Sequence, residues 1–241
     1  MLEVSRDGDV VTIELQREER RNALNIELVT RLREAVSTAA EDARVIVLTG
    51  RGPIFSAGAD LSGVYSEEFL AALVDMLHTI ESVPVTVIAA INGGALGAGV
   101  QIALAADLRV MEPDAYIAIP AAKLGITVDR WTVRRLVSLI GGSPARTILL
   151  GAESISATDA YSFGFANRLG TLADAQAWAK SIAGLAPLSL RHLKLELNDD
   201  GTRDPEKTQQ HAALEAAWSS QDAKEGRLAR AEKRAAKFLG R

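Results

Sequence analysis

Twenty-five consecutive residues, Ser82 to Ala106, pass without one charged side chain. A run of that length is long enough to cross a bilayer, for which ~20 apolar residues suffice. Pro84, Asn92, Gln101 and the glycines Gly93, Gly94, Gly97 and Gly99 argue against a membrane span. They divide the run into a strand over Val85 to Ile91, a glycine turn, and a helix over Leu96 to Ala105, all buried in protein. The run also opens a wider window poor in acids. Between Glu81 and Glu153 the only carboxylates are Asp107, Glu112, Asp114 and Asp129.

The flanking pattern sets the fold class. Val11, Ile13 and Leu15 alternate with Thr12 and Glu14, the mark of a half-buried strand. Asn25 precedes a helix whose Leu28, Leu32, Val36 and Ala39 share one face. Val45 to Leu48 reads as a buried strand ended by Gly50, and Glu67 to Ile80 as a helix turning Leu70, Leu73, Val74 and Leu77 inward. Alternating strands and helices imply an α/β fold with mostly parallel strands. Beyond Asp129 helical patterns dominate: Trp131 to Ile140, Ala145 to Leu150, Thr158 to Phe163, Leu172 to Leu185, and most of Pro187 to Arg241. A soft boundary near Leu185 separates a core, 1–185, from a helical region, 186–241.

Composition excludes several function classes. With 241 residues, 48% of them hydrophobic, the chain can bury a sizeable core. It has no cysteine, which rules out disulfides, thiolate metal sites and a cysteine nucleophile and fits a cytoplasmic location. Met1 to Gly8 carry Glu3, Arg6 and Asp7, so no secretory leader is expected. A net charge of −4 opposes general nucleic-acid binding. The tail, Lys224 to Arg241, is locally basic. Arg227, Arg230, Arg234, Lys237 and Arg241 recur every three or four residues beside Leu228, Ala231, Ala235 and Phe238. On a helix they form one stripe, either a solvated face or a surface for an anionic ligand.

Familiar catalytic signatures are missing. There is no phosphate-binding loop, and Gly94, Gly97 and Gly99 stand in the wrong order for a dinucleotide fingerprint. Ser56 lacks the first glycine of a nucleophile elbow. His78, His192 and His211 have no metal spacing, and no metal site is expected. Two small-residue turns remain, Phe55 to Leu61 and Ala90 to Gly99, each after a strand. Small residues let a ligand approach the backbone, and a helix's first N–H groups have no internal partner. Brought together, the turns would aim two N–H groups at one carbonyl oxygen, an oxyanion hole; tight packing explains them equally well.

These residues carry a resemblance. Arg20-Arg21-Asn22-Ala23-Leu24-Asn25, Phe55 to Leu61, Ala90 to Gly99 with Asp107 following, Ile119-Pro120 with Leu124-Gly125, and Gly141 to Asn167 resemble the enoyl-CoA hydratase/isomerase (crotonase) superfamily over nearly the whole chain. The resemblance implies a spiral of ββα units with a C-terminal helical region that serves oligomerisation and coenzyme A contact. It implies homotrimers, often paired into hexamers, a coenzyme A thioester as ligand, no permanently bound cofactor, and a place in fatty-acid metabolism. It places the oxyanion-hole amides on Ala59 and Ala98, the latter usually glycine. It assigns the coenzyme A path to Asn22, Ala23, Leu24, Ala57 and Asp60, phosphate contacts to Arg20 and Arg21, and a late ligand contact to Lys237 and Phe238.

The catalytic positions depart from the family. A hydratase needs two carboxylates at the thioester's α and β carbons. The resemblance places them at Gln101 and Ala121, neither of which has acid–base chemistry at neutral pH. Losing one typically costs about 100- to 10,000-fold. Asp129 survives nearby, either as the base of an isomerase or as the N-cap of the helix from Trp131. Trp131 is a core residue or a pocket wall. Three functions follow: an acyl-CoA-binding protein without hydratase chemistry, an enoyl-CoA or dienoyl-CoA isomerase using Asp129, or a conventional hydratase.

Overall fold

The computed structural model describes residues 1–60, 66–205 and 208–240. Leu61 and Arg241, which belong to the first turn and the basic stripe, lie outside the described residues.

Two sheets organise the chain. The larger contains β1 (Leu2–Asp7), β2 (Val10–Leu15), β3 (Val45–Gly50), β5 (Thr86–Ile91), β7 (Leu108–Met111) and β10 (Arg168–Leu169), in that spatial order. The smaller contains β4 (Ile54–Ser56), β6 (Gly94–Leu96), β8 (Tyr116–Ala118) and β9 (Ser154–Ser156). Each repeat sends its first strand to the large sheet and its second to the small one: β3 then β4, β5 then β6, β7 then β8. A helix closes the first two repeats, α2 (Glu67–Ser82) and α3 (Ala98–Ala105). This is the expected α/β spiral of ββα units. Pairing from β2 through β7 is parallel; β1 joins the edge antiparallel.

β2 is buried on both faces, not half-buried. Thr12 is only 7% exposed and accepts a hydrogen bond from Gln176 of α7 (Leu172–Ala183) at 3.1 Å. Helix α7 lays Ala175, Ala179 and Ile182 over Val10, Val45, Val47, Ile88 and Val110, covering the face that alternation alone assigned to solvent. The opposite face packs against α1 (Ile26–Ala39), α2 and α3. Asn25 caps α1 by accepting the Leu28 N–H at 2.9 Å.

The uncharged run resolves into β5, β6 and α3. Leu96 ends a strand rather than starting a helix, which begins two residues later. All eight residues of α3 are buried, and Gln101 is its only polar side chain. A helix enclosed on every side leaves no position for a charge. Among the described residues no helix is long and apolar enough to cross a membrane. In α2, Leu73 and Leu77 are buried as expected, but Val74 is 48% exposed. Phe69, Met76 and Ile80 complete the inward face instead.

The second half is mostly helical: α4 (Arg130–Ile140), α5 (Gly142–Leu149), α6 (Ala157–Ser162), α7, α8 (Pro187–Asn198), α9 (Thr208–Ser219) and α10 (Gln221–Ala231). The final helix stops at Ala231, and Lys233 follows with φ of 54°. Arg234 and Lys237 therefore leave the helical stripe that their spacing suggested. Buried polar groups join the halves. Lys194 of α8 donates to the Val85 carbonyl and to Asp107 Oδ2, both at 2.9 Å. Burial raises the Asp107 carboxyl pKa, an effect opposed by Lys194. Arg109 is sealed among the carbonyls of Ala103, Ala106 and Phe165, and burial brings its pKa down to about 10.

Candidate functional site

Strand β4 runs parallel to β6, so the turns that follow them lie side by side. A methyl group added to Gly58 would sit 2.5 Å from the Leu96 carbonyl oxygen and 3.2 Å from the Ala98 nitrogen. Only glycine permits this approach. Gly97, with φ of 51°, donates its N–H to the Ala118 carbonyl at 2.9 Å and hands the chain to α3. Ala98 is the first residue of α3, where its N–H needs no helical acceptor. Its φ is not positive, so the methyl that replaces the family's usual hydrogen adds no backbone strain. Among the described residues, neither the Ala59 nor the Ala98 N–H has a backbone acceptor. The helix N-terminus adds positive potential at Ala98.

The first turn is held by residues that the sequence reading treated differently. Asn22 is fully buried; its Nδ2 donates to the carbonyls of Arg51 (2.9 Å) and Ile54 (2.8 Å), and its Oδ1 accepts the Arg17 N–H (2.9 Å). The side chain is thus a staple of the turn, with its polar atoms committed to backbone. Leu24 is also fully buried, and it brackets Ala59: its N–H donates to Gly58, and its carbonyl accepts from Asp60. Ala57 donates its N–H to the Arg21 carbonyl at 2.9 Å, and Ala23 is half-buried beside it. Ser56, set aside as a nucleophile, donates its hydroxyl to the Asn22 carbonyl at 2.8 Å. Arg17, which the sequence reading missed, reaches both Asp60 Oδ2 and the Ala23 carbonyl at 2.8 Å. Arg20 and Arg21 are exposed on the approach to this turn.

One helical turn into α3, Gln101 is 6% exposed. Its Nε2 donates to Thr132 Oγ1 at 2.7 Å and to Asp129 Oδ2 at 3.2 Å. Asp129 also accepts the Thr132 N–H at 2.7 Å and its hydroxyl at 3.2 Å, so it is the N-cap of α4. The structure brings Gln101 and Asp129 together, with Thr132 as an unforeseen third member. Ala121 opens a short 3-10 helix, Ala121–Leu124, and offers only a methyl group.

Trp131 is buried, and its Nε1–H donates to Glu81 Oε1 at 2.9 Å. Arg203 lies over the indole at 4.6 Å and pairs with Glu81 Oε2 at 2.8 Å. Beside them a cavity of about 210 Å³ is lined by Val74, Leu77, Asp129, Trp131, Thr202 and Arg203. Val74's exposure is explained by its place on this wall. Among the described residues no group of three or more His, Asp and Glu is placed to hold a metal.

The enoyl-CoA hydratase/isomerase family pattern matches residues 5–241. The chain belongs to this family. It is 48% identical over 246 residues to the probable enoyl-CoA hydratase echA6 of Mycobacterium leprae (strain TN), covering all of both chains. Among solved structures it superposes on an enoyl-CoA hydratase/isomerase from Pseudoalteromonas atlantica T6c with a TM-score of 0.90 at 25% identity, covering 99% of each chain. It shares its fold with methylmalonyl-CoA decarboxylase, with a TM-score of 0.93 at 23% identity over 100% of this chain and 98% of that one.

In this family member Lys237 and Phe238 are exposed, on a tail folded back along α10. Arg234 grips Glu225 through Nη1 (2.6 Å) and Nη2 (2.9 Å), and the Lys237 N–H donates to the same carboxylate at 2.9 Å. These bonds, Arg234 foremost, hold the Glu225 pKa down at about 2. Within one chain the tail is tied to α10, not to Ala59 or Ala98. Helix α10 in turn seats on the 3-10 helix beginning at Ala121: a methyl on Gly226 would lie 2.0 Å from the Leu124 carbonyl oxygen.

Proposed function

We propose that this chain is an acyl-CoA-binding protein of lipid metabolism that holds a thioester carbonyl at the Ala59 and Ala98 amides and lacks hydratase chemistry. The observation that carries this reading is the bond from Gln101 to Asp129. At the position where the family resemblance implies a water-activating glutamate, this chain has an amide whose N–H₂ serves a carboxylate and a hydroxyl. Ala121, the second such position, cannot move a proton. Two N–H groups aimed at the carbonyl oxygen polarise the thioester. Polarisation without an acid or a base leaves the ligand bound and unreacted. Exposed Arg20 and Arg21 suit the phosphates of coenzyme A, and Ala23, Leu24, Ala57 and Asp60 frame its path.

The names of the relatives favour hydration, and Asp129 beside the cavity favours an isomerase. Three donors already occupy the Asp129 carboxylate, so its oxygens are committed to capping α4 and holding Gln101. Steady-state turnover of crotonyl-CoA by wild-type protein tests the main reading: the expected result is tight binding in calorimetry and no hydration above background. Strong turnover would overturn it. If Asp129→Asn abolishes double-bond migration on an enoyl-CoA or dienoyl-CoA panel, the isomerase reading replaces it. The proposal includes a cytoplasmic homotrimer or hexamer, with 1–185 as the ligand-holding core and 186–241 serving assembly and coenzyme A contact. Light scattering giving a monomer would contradict the assembly.

A further inference from the structure

We infer that the cleft between α4 and α9 is a second binding site, one for an aliphatic carboxylate, with Arg134 as its anion contact. The inference goes beyond the thioester reading and does not depend on it: Ala59, Ala98 and Gln101 are not among the lining residues. A cavity of about 320 Å³ lies in the cleft. Small-molecule sites span ~300–1,000 Å³, so this one suits a single short chain. Helix α4 turns Arg130, Val133 and Arg134 toward it, and α9 turns Gln210, Ala213 and Leu214. Spacings of three and four residues put each trio on one helix face. None of the described residues of α9 is buried, so α9 roofs the cleft without closing it.

The lining joins apolar walls to positive charge. Val128, Val133, Ala213 and Leu214 are apolar, Arg130 and Arg134 are cationic, and among the described residues no carboxylate lines the cleft. Like charges four residues apart on a helix repel, and a cation in the first turn opposes the helix dipole. Helix α4 opens with Arg130 and has no acid in its first turn, while its Asp129 cap is spent on Thr132 and Gln101. Arg130 is anchored through Nε to the Asp204 carbonyl at 3.1 Å. Arg134 is exposed, and among the described residues it has no hydrogen bond, ion pair or ring contact. An apolar slot beside an uncommitted guanidinium fits a chain that ends in an anion. The planar fork of arginine takes a carboxylate through two parallel bonds, and the chain leaves water along Val128, Val133 and Leu214. Such a carboxylate has two sources, a free fatty acid or the far end of a dicarboxylic thioester.

Calorimetric titration of the full-length protein with octanoate and 1-octanol tests the site. Octanoate is expected to bind about 3- to 10-fold tighter, between the worth of an exposed ion pair and that of a charge-assisted hydrogen bond. Arg134→Gln brings octanoate down to the level of 1-octanol. Ala213→Phe fills the slot and abolishes octanoate binding. Both positions are exposed, and an unchanged melting temperature shows that each variant folds. Equal affinity for the acid and the alcohol in wild type, or octanoate affinity that survives either substitution, would overturn the inference. Octanoyl-CoA and the monothioester of the eight-carbon diacid then separate the sources. A gain for the diacid thioester that Arg134→Gln removes assigns the site to the far end of an acyl chain, and equal affinity of the two thioesters assigns it to a free acid. If no coenzyme A ester binds, the thioester reading falls while the octanoate arm still decides this one.

Discussion

At the residue scale, Gln101 and Asp129 sit 3.2 Å apart because one of them is an amide. Gln101→Glu would set two carboxylates against each other, and both cannot ionise at that distance. One carboxyl is then a weaker acid in the folded chain than in the unfolded one. Such a group favours unfolding as pH rises through its folded pKa, because the unfolded state ionises first. Each tenfold weakening costs about 1.4 kcal/mol once the pH exceeds the folded pKa. The Gln101→Glu protein is therefore expected to lose melting temperature relative to wild type as pH rises above the ordinary carboxylate range, about 4. A loss that does not depend on pH would contradict the contact. Such contacts mark the limit of sequence reading. Gln101 was legible as a departure from the family pattern, but Thr132 as its acceptor was not. Arg17 was missed for the same reason: its partner Asp60 is forty-three residues away, and nothing local announces the pair.

At the element scale, periodicity found α1 and α2 where one face met solvent, though it turned Val74 of α2 inward. The helix after Asn25 and its inward residues came from a clean apolar stripe. It failed where burial was complete or where charge spacing imitated a helix. Within Gly93 to Ala105 every residue is small or apolar apart from Gln101, so no period marks the change from β6 to α3. The arginines of the tail have helical spacing, yet the chain leaves the helix at Glu232 because Glu225 recruits Arg234 and the Lys237 N–H. Glu225 ionises near pH 2 in the folded chain instead of near the ordinary glutamate value of 4.5, so the tail clasp is fully present above about 4.5 and weakens as pH falls toward 2. The Lys237 amide resonance is expected to stay fixed between pH 6 and pH 4; a titration centred near 4.5 would contradict the clasp. Gly226→Ala forces α10 away from Leu124 and should cost about 1–3 kcal/mol in urea unfolding. It should also speed tryptic cleavage at Arg227 and Arg230. Wild-type cleavage rates would show that α10 does not seat there.

At the scale of the whole molecule, the spiral brings together turns that are about forty residues apart in sequence, and the helical region fastens itself to that spiral from behind. Lys194 on α8 is one such fastening: it reaches Asp107 and the residue before β5 through buried hydrogen bonds. Asp107→Ala leaves that ammonium buried without its counter-charge and should destabilise the chain by about 3–5 kcal/mol in urea. A change below ~1 kcal/mol would mean that the pair is not buried in solution. The parallel fold was legible from the alternation of strands and helices, and the two turns from their small residues. The electrostatic joints between halves were not, since each depends on residues that only the folded chain brings into contact. A thioester carbonyl gripped by two amides and left unreacted would show itself in ¹³C NMR of crotonyl-CoA labelled at its first and third carbons. A downfield shift of the bound carbonyl is expected, with the vinylic third-carbon signal persisting. An unshifted carbonyl, or replacement of the vinylic signal by that of a hydroxylated carbon, would contradict it.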